Sequence, residues 1–102
     1  MDPERISDFI ISDVVMSTAC RDQGKLFYVV GTDPVFLLLA NGEDRKLETP
    51  KRKKRKHIQK VLRSETRVAE KLRHGDKVHN SELRRDLAYF SREMQSNNLG
   101  GF

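Results

Sequence analysis

The densest chemistry in this sequence is a run of six consecutive basic residues, Lys51, Arg52, Lys53, Lys54, Arg55 and Lys56. Like charges set this close repel one another, and none can be buried without a partner, so the run requires either full solvation or a polyanion. Clustered Lys and Arg neutralise a nucleic-acid backbone by releasing its condensed counterions, which makes phosphate binding the leading reading. A nuclear-import signal and a merely solvated charge run are the alternatives. His57 and Lys60 extend the run. Arg63, Arg67 and Lys71 then recur every four residues, a spacing that on a helix makes one basic stripe, either lying along a phosphate ridge or facing water. Because residues 51–56 include no apolar member, neutralising all six is expected to weaken binding and leave the fold intact.

A second candidate lies upstream in Arg21-Asp22-Gln23-Gly24-Lys25. Glycine lets a backbone come close to a phosphate or sugar, and Arg21 and Lys25 would bracket that approach, with Asp22 shaping the loop or pairing with Arg21. The plainer alternative is a strand-joining turn with its charges in water. Phe27 and Tyr28 fall on opposite faces of one strand, so Phe27 is expected in the core and Tyr28 is available to stack on an unpaired base. Cys20 is the single cysteine, which excludes an intrachain disulfide, and His57, His74 and His79 stand at no metal-ligand spacing. No nucleophile-base set, carboxylate pair or phosphate-cradling glycine loop can be read, so the expectation is a binding protein, not an enzyme, with no cofactor, no zinc and no small-molecule substrate. Replacing Cys20 by Ser or Ala should cost little RNA affinity.

The charges are divided unevenly along the chain. Residues 1–48 carry 5 basic and 9 acidic side chains, and residues 49–102 carry 15 and 6, giving −4 and +9. This split suggests a near-neutral folded body joined to a polyanion-facing half. A chain of 102 residues with only seven aromatics can support one compact domain. The longest apolar run, residues 35–40, is far short of the ~20 residues of a membrane span, and the acidic start Met1-Asp2-Pro3-Glu4 is unlike a secretory signal, so a cytoplasmic protein with no membrane partner is expected.

Positioning these groups falls mainly to strands. Residues 9–18 are rich in Ile and Val without helical spacing, placing Val15 and Ser17 on one face and Val14 and Met16 on the other. Residues 26–32 and 35–40 are two β-rich runs joined by the turn pair Asp33-Pro34, which predicts an antiparallel hairpin. Asn41-Gly42 is a strong signal for a type I′ turn, so residues 43–48 are expected to form a polar edge strand, and residues 57–62 a closing strand. Several short strands within about fifty residues suggest a small closed or half-closed antiparallel barrel. Beyond it, Ser64 as N-cap, Val68 and Leu72 one turn apart and Gly75 as terminator predict a first helix of about three turns. Leu83, Leu87, Phe90 and Met94 mark a second helix from Asn80 or Ser81, with a stripe able to dock on the barrel or on the first helix. The resulting organisation is an N-terminal arm at 1–8, a barrel ending in a basic strand at 9–62, a tail of two short helices at 63–96 and a disordered end at 97–102.

Arg21-Asp22-Gln23-Gly24-Lys25 between Val-rich strands, followed by Val29-Val30, resembles the KOW motif of ribosomal and transcription-elongation proteins. The later pieces, Asn41-Gly42, Arg45-Lys46-Leu47 and the run from Pro50 to His57, resemble the large-subunit ribosomal protein fourteen-e family and its short bacterial KOW relatives. The resemblance covers residues 9–62. The family pattern has glycine before the first strand and before the Arg-Asp pair, where this chain has Ser12 and Cys20. It implies an SH3-like barrel that binds structured ribosomal RNA of the large subunit. The Lys-rich strand offers point charges and little base-edge discrimination, so contact through backbone phosphates is expected, with the protein monomeric off the ribosome. Two other readings remain open: a transcription-elongation type of interaction module, whose barrel face contacts polymerase, and a nuclear RNA-processing factor.

Overall fold

The computed structural model describes residues 9–100 of the chain; the proposed arm at 1–8 lies outside the described residues. Five strands form in order, β1 (Asp13–Ser17), β2 (Leu26–Thr32), β3 (Phe36–Ala40), β4 (Lys51–Lys54) and β5 (Ile58–Arg63), with a 3-10 turn at Arg55–His57 joining the last two. Helices α1 (Arg67–His74) and α2 (Asn80–Gly100) follow. All neighbouring strands are antiparallel, in the order β4-β3-β2-β1-β5.

The central strand β2 pairs with β1 through Leu26 to Tyr28 and with β3 through Tyr28 to Thr32, and the register shifts between Val29 and Gly31. A second shift separates Val14 from Val15 against β5. Such irregularities bend a strand and sharpen its twist. The sheet therefore rolls around a core of Val15, Phe27, Val29, Leu37, Leu39 and Ile58. The backbone N–H of Thr18 donates to the His57 carbonyl at 2.9 Å, tying the loop after β1 to the 3-10 turn.

The helices cover the sheet's other face, where Val14, Tyr28 and Ala40 pack with Val68, Ala69, Leu83, Leu87 and Phe90. Strands β1 and β2 are thus buried on both sides, which is why they read as apolar runs and not as alternating ones. Phe27 and Tyr28 do lie on opposite faces, but both are fully buried, so Tyr28 is not available to stack on a base. The helical cover that buries it could not be read from the strand alone.

The hairpin at Asp33-Pro34 forms as the residues predict, with Asp33 Oδ1 accepting from the backbone N–H groups of Val35 and Phe36 at 2.9 and 2.8 Å. The polar edge strand expected over residues 43–48 is a loop instead, and the fourth strand is the basic run itself. The loop's backbone finds partners outside any ladder. Asn41 Oδ1 accepts from Glu43 and Arg45, and Asn80 Oδ1 at the start of α2 accepts from Leu47. Gly42, at φ +77°, sits under α2, where an added Cβ would fall 2.2 Å from the Asn80 carbonyl oxygen.

Helix α1 is capped by Thr66, whose Oγ1 accepts from Ala69 N–H at 3.2 Å, and ends at Gly75 in the left-handed conformation. Ser64, the expected cap, is buried and bonded elsewhere. The helix spans eight residues, and α2 is not short but runs for 21. It continues past Ser96, where the sequence placed the start of a tail; residues 101–102 lie outside the described residues. Leu83, Leu87 and Phe90 form its buried stripe, as their spacing predicts.

Candidate nucleic-acid interface

The basic run is a strand, so its side chains alternate between two faces. Lys51 and Lys53 stand opposite Leu39 and Leu37 on the inner side, and Arg52 and Lys54 opposite Leu38 and Phe36 on the outer side. Lys53 is buried, its Nζ donating to Asp22 Oδ1 at 3.0 Å and to the Ala19 carbonyl at 3.1 Å. Lys51 Nζ lies 2.9 Å from Asp22 Oδ2. Ser17 Oγ adds a third contact to that carboxylate at 2.7 Å. Burial by itself would raise the Asp22 carboxyl, but the bonds from Ser17, Lys51 and Lys53 outweigh it and hold the group well below the usual carboxylate range.

This cluster corrects the uniform reading of the run. Lys53, and largely Lys51, are internal ion-pair partners, and neutralising all six residues would strip a buried carboxylate of both cations. Asp22 is structural, but it pairs with these two lysines and not with Arg21. The strand period of two was the signal that separates the two sets, had residues 51–54 been given a register against residues 36–39.

The remaining candidates are scattered. Arg21 and Gly24 are exposed on the β1–β2 loop. Gly24 has φ +91°, a left-handed backbone angle for which glycine is suited, and a Cβ added there would meet nothing within 4 Å. Lys25 pairs with Asp44 at 2.6 Å, and both line a groove of about 650 Å³ with Arg21, Arg45 and Lys51. Arg45, which the residue patterns did not single out as a site, is brought there by the 41–50 loop. Arg55 Nε donates to the Asp33 carbonyl at 3.0 Å, His57 is half-buried in the 3-10 turn, and Lys56 is exposed.

The expected helical stripe does not assemble. Arg63 lies on β5 and Arg67 opens α1, so the two belong to different elements. Lys60 and Arg63 approach the buried Asp13 carboxylate at 3.3 and 3.5 Å. Lys71 bridges α1 to α2 through Glu82 at 2.9 Å. Arg67 remains exposed. Thus Arg52, Lys54 and Lys56 are the exposed cations that the basic run offers outward, with Arg21 on the neighbouring loop.

A part-buried polar network, with no local signal in the sequence, ties the helices to the sheet. Tyr28 Oη donates to Asp86 Oδ2 at 2.7 Å and lies 2.9 Å from Ser64 Oγ, and Thr66 Oγ1 donates to the same Asp86 oxygen at 2.7 Å. Burial first, and the Asp86 carboxylate with it, push the Tyr28 hydroxyl up to about 12 against the opposing bonds from Ser64 and Thr66. Partners 36 and 58 residues apart in sequence give no local signal. Arg73 Nη1 completes the join, donating to Ser12 Oγ at 2.8 Å and to the Ser64 carbonyl at 3.1 Å.

Among the described residues no helix is long and apolar enough to cross a membrane. Compared with known proteins, the chain matches no family and no curated protein.

Proposed function

We propose that this chain is a small RNA-binding protein of the KOW, SH3-like barrel type. It is a cytoplasmic ribosomal or ribosome-associated component that grips structured ribosomal RNA of the large subunit through backbone phosphates and carries out no catalysis. Off the ribosome it is a monomer. The observation that carries this reading is the sorting of the basic strand. Its inner lysines are spent on Asp22, and its outer cations Arg52 and Lys54, with Lys56 beyond them, are exposed. The inner cluster has a mechanical role in this scheme: by clamping Asp22 and the Ala19 carbonyl, Lys53 holds the β1–β2 loop against β4. That leaves Arg21, exposed on the same loop, beside Lys51 in the groove they both line. Phosphate contacts of this kind position an RNA without reading its bases.

Two further observations support the family resemblance. The strand order β4-β3-β2-β1-β5, with a 3-10 turn between β4 and β5, suits a small barrel of that class. Ser12 and Cys20 stand where the pattern has glycine, and they are the two non-glycine residues with positive φ among the described residues, at 85° and 70°. The backbone angles for which glycine is suited are kept at both places although the residues differ.

The test is the triple variant Arg52→Gln, Lys54→Gln, Lys56→Gln, titrated with a structured ribosomal RNA fragment over a range of salt. Loss of these three cations, at least two of them on phosphate, should lower affinity and flatten the slope of log K against log salt by about 1.4 to 2, at roughly 0.7 per contact. A folded variant with unchanged affinity and slope would remove the proposal.

A further inference from the structure

The outer face of β3 and β4 escapes the helices. Ala40 at one end is buried under them, but Leu38 is 36% exposed and Phe36 is half-buried. Leu38 lies over Gly31 of β2, where an added Cβ would come 2.8 Å from its Cδ1. Leu38 pairs with Arg52 and Phe36 with Lys54 across the β3–β4 ladder. From its diagonal position the Arg52 guanidinium lies over the Phe36 ring, 3.8 Å from the centroid, while the residue as a whole is exposed.

We infer that this Phe36–Arg52 stack, on the apolar floor of Leu38 and Gly31, is a platform for an unpaired nucleobase of the bound RNA, with Lys54 and Lys56 taking the flanking phosphates. The inference rests on the RNA-binding reading above and adds what that reading lacks, a preference for unpaired nucleotides. A guanidinium held on an aromatic ring has one face used and one face open, and its order is established before binding. Nucleobases stack on such planes as they do on aromatic rings, whatever their identity. The surrounding charge favours a polyanion, and the hollow alongside, about 370 Å³ with Pro34 and Val35 as apolar lining and Lys54 and Lys56 among its walls, continues the track. Val35, 53% exposed, has no cover among the described residues.

The full chain is titrated with a short single-stranded oligoadenylate carrying one fluorescent adenine analogue, and with a duplex of the same length at the same salt. The wild type should bind the single strand more tightly and quench the analogue by stacking. Arg52→Lys keeps the charge and removes the plane, so it should lose about tenfold in single-strand affinity, and the quench with it, a larger loss than it shows on the duplex. Phe36→Leu, which frees the guanidinium, should shift both readouts the same way. Unchanged quenching and affinity in Arg52→Lys would overturn the inference. So would displacement by poly-glutamate at equal charge concentration, which would assign the face to an acidic peptide. A wild type that binds duplex and single strand alike, without quenching, would leave RNA binding standing and sink the platform; one that binds neither would sink both.

Discussion

Adjacent residues of the basic strand should differ sharply in what they do for stability. Lys53→Met keeps the length of the stem and removes the ammonium. The Lys53 and Asp22 side chains are 5% and 9% exposed, so the carboxylate cannot replace its lost partner from bulk water. Removing one member of a buried pair costs about 3–5 kcal/mol. Lys51 at 2.9 Å and Ser17 at 2.7 Å remain on the carboxylate, which places the expected loss at the lower end, about 3 kcal/mol. Arg52→Gln, one position away, loses an exposed cation–π contact of about 0.5 kcal/mol. In a domain of this size 1 kcal/mol moves Tm by about 4–8 °C, so Lys53→Met should lower Tm by roughly 12–24 °C and Arg52→Gln by less than about 4 °C. Thermal unfolding followed by circular dichroism, checked for two-state behaviour against urea titrations, measures both. Equal losses in the two variants would refute the assignment of Lys53 to the interior and, with it, the alternation of the strand.

The Asp22 carboxyl is held below its ordinary 3.8 in the fold, so the native state binds fewer protons there than the unfolded chain in acid; its contribution to stability is full above about pH 5 and falls as acid is added, and Asp22→Asn should flatten that acid limb in unfolding experiments. Tyr28 is shifted the other way, to about 12, so the unfolded chain releases its proton first and stability should fall as pH rises from about 10 towards 12; Tyr28→Phe should remove this alkaline loss while costing about 1–2 kcal/mol at neutral pH through the Asp86 and Ser64 groups it leaves unpaired. Cys20→Gly, at φ 70°, should stabilise the fold by about 0.5–1 kcal/mol in denaturant titrations, the relief of a left-handed residue exceeding glycine's entropy cost, and should leave RNA affinity unchanged.

What the sequence made legible was local. Asp33-Pro34 carries its own turn in the hydrogen bonds from Val35 and Phe36, and Leu83, Leu87 and Phe90 reveal a docking face by spacing alone. The misread pieces depend on partners far along the chain. Asn41-Gly42 looks like a two-residue hairpin until α2 packs over Gly42 and Asn80 takes the backbone of Leu47. Tyr28 looks half-available until the helices cover β2. The six cations of the run are chemically alike, and only the register against β3 and the position of Asp22 decide which two turn inward. For the same reason the spacing of Lys25, Lys60, Arg63 and Lys71 gave no sign of the carboxylates of Asp44, Asp13 and Glu82 that lie beside them.

Sedimentation of the native protein with purified ribosomal subunits, at low and at high salt, tests the central proposal most directly. Co-sedimentation with the large subunit is expected at low salt, with release as salt rises and a shift of that release to lower salt in the Arg52→Gln, Lys54→Gln, Lys56→Gln variant. A protein that stays at the top of the gradient at low salt, or whose folded triple variant is released at the same salt as the wild type, would contradict it.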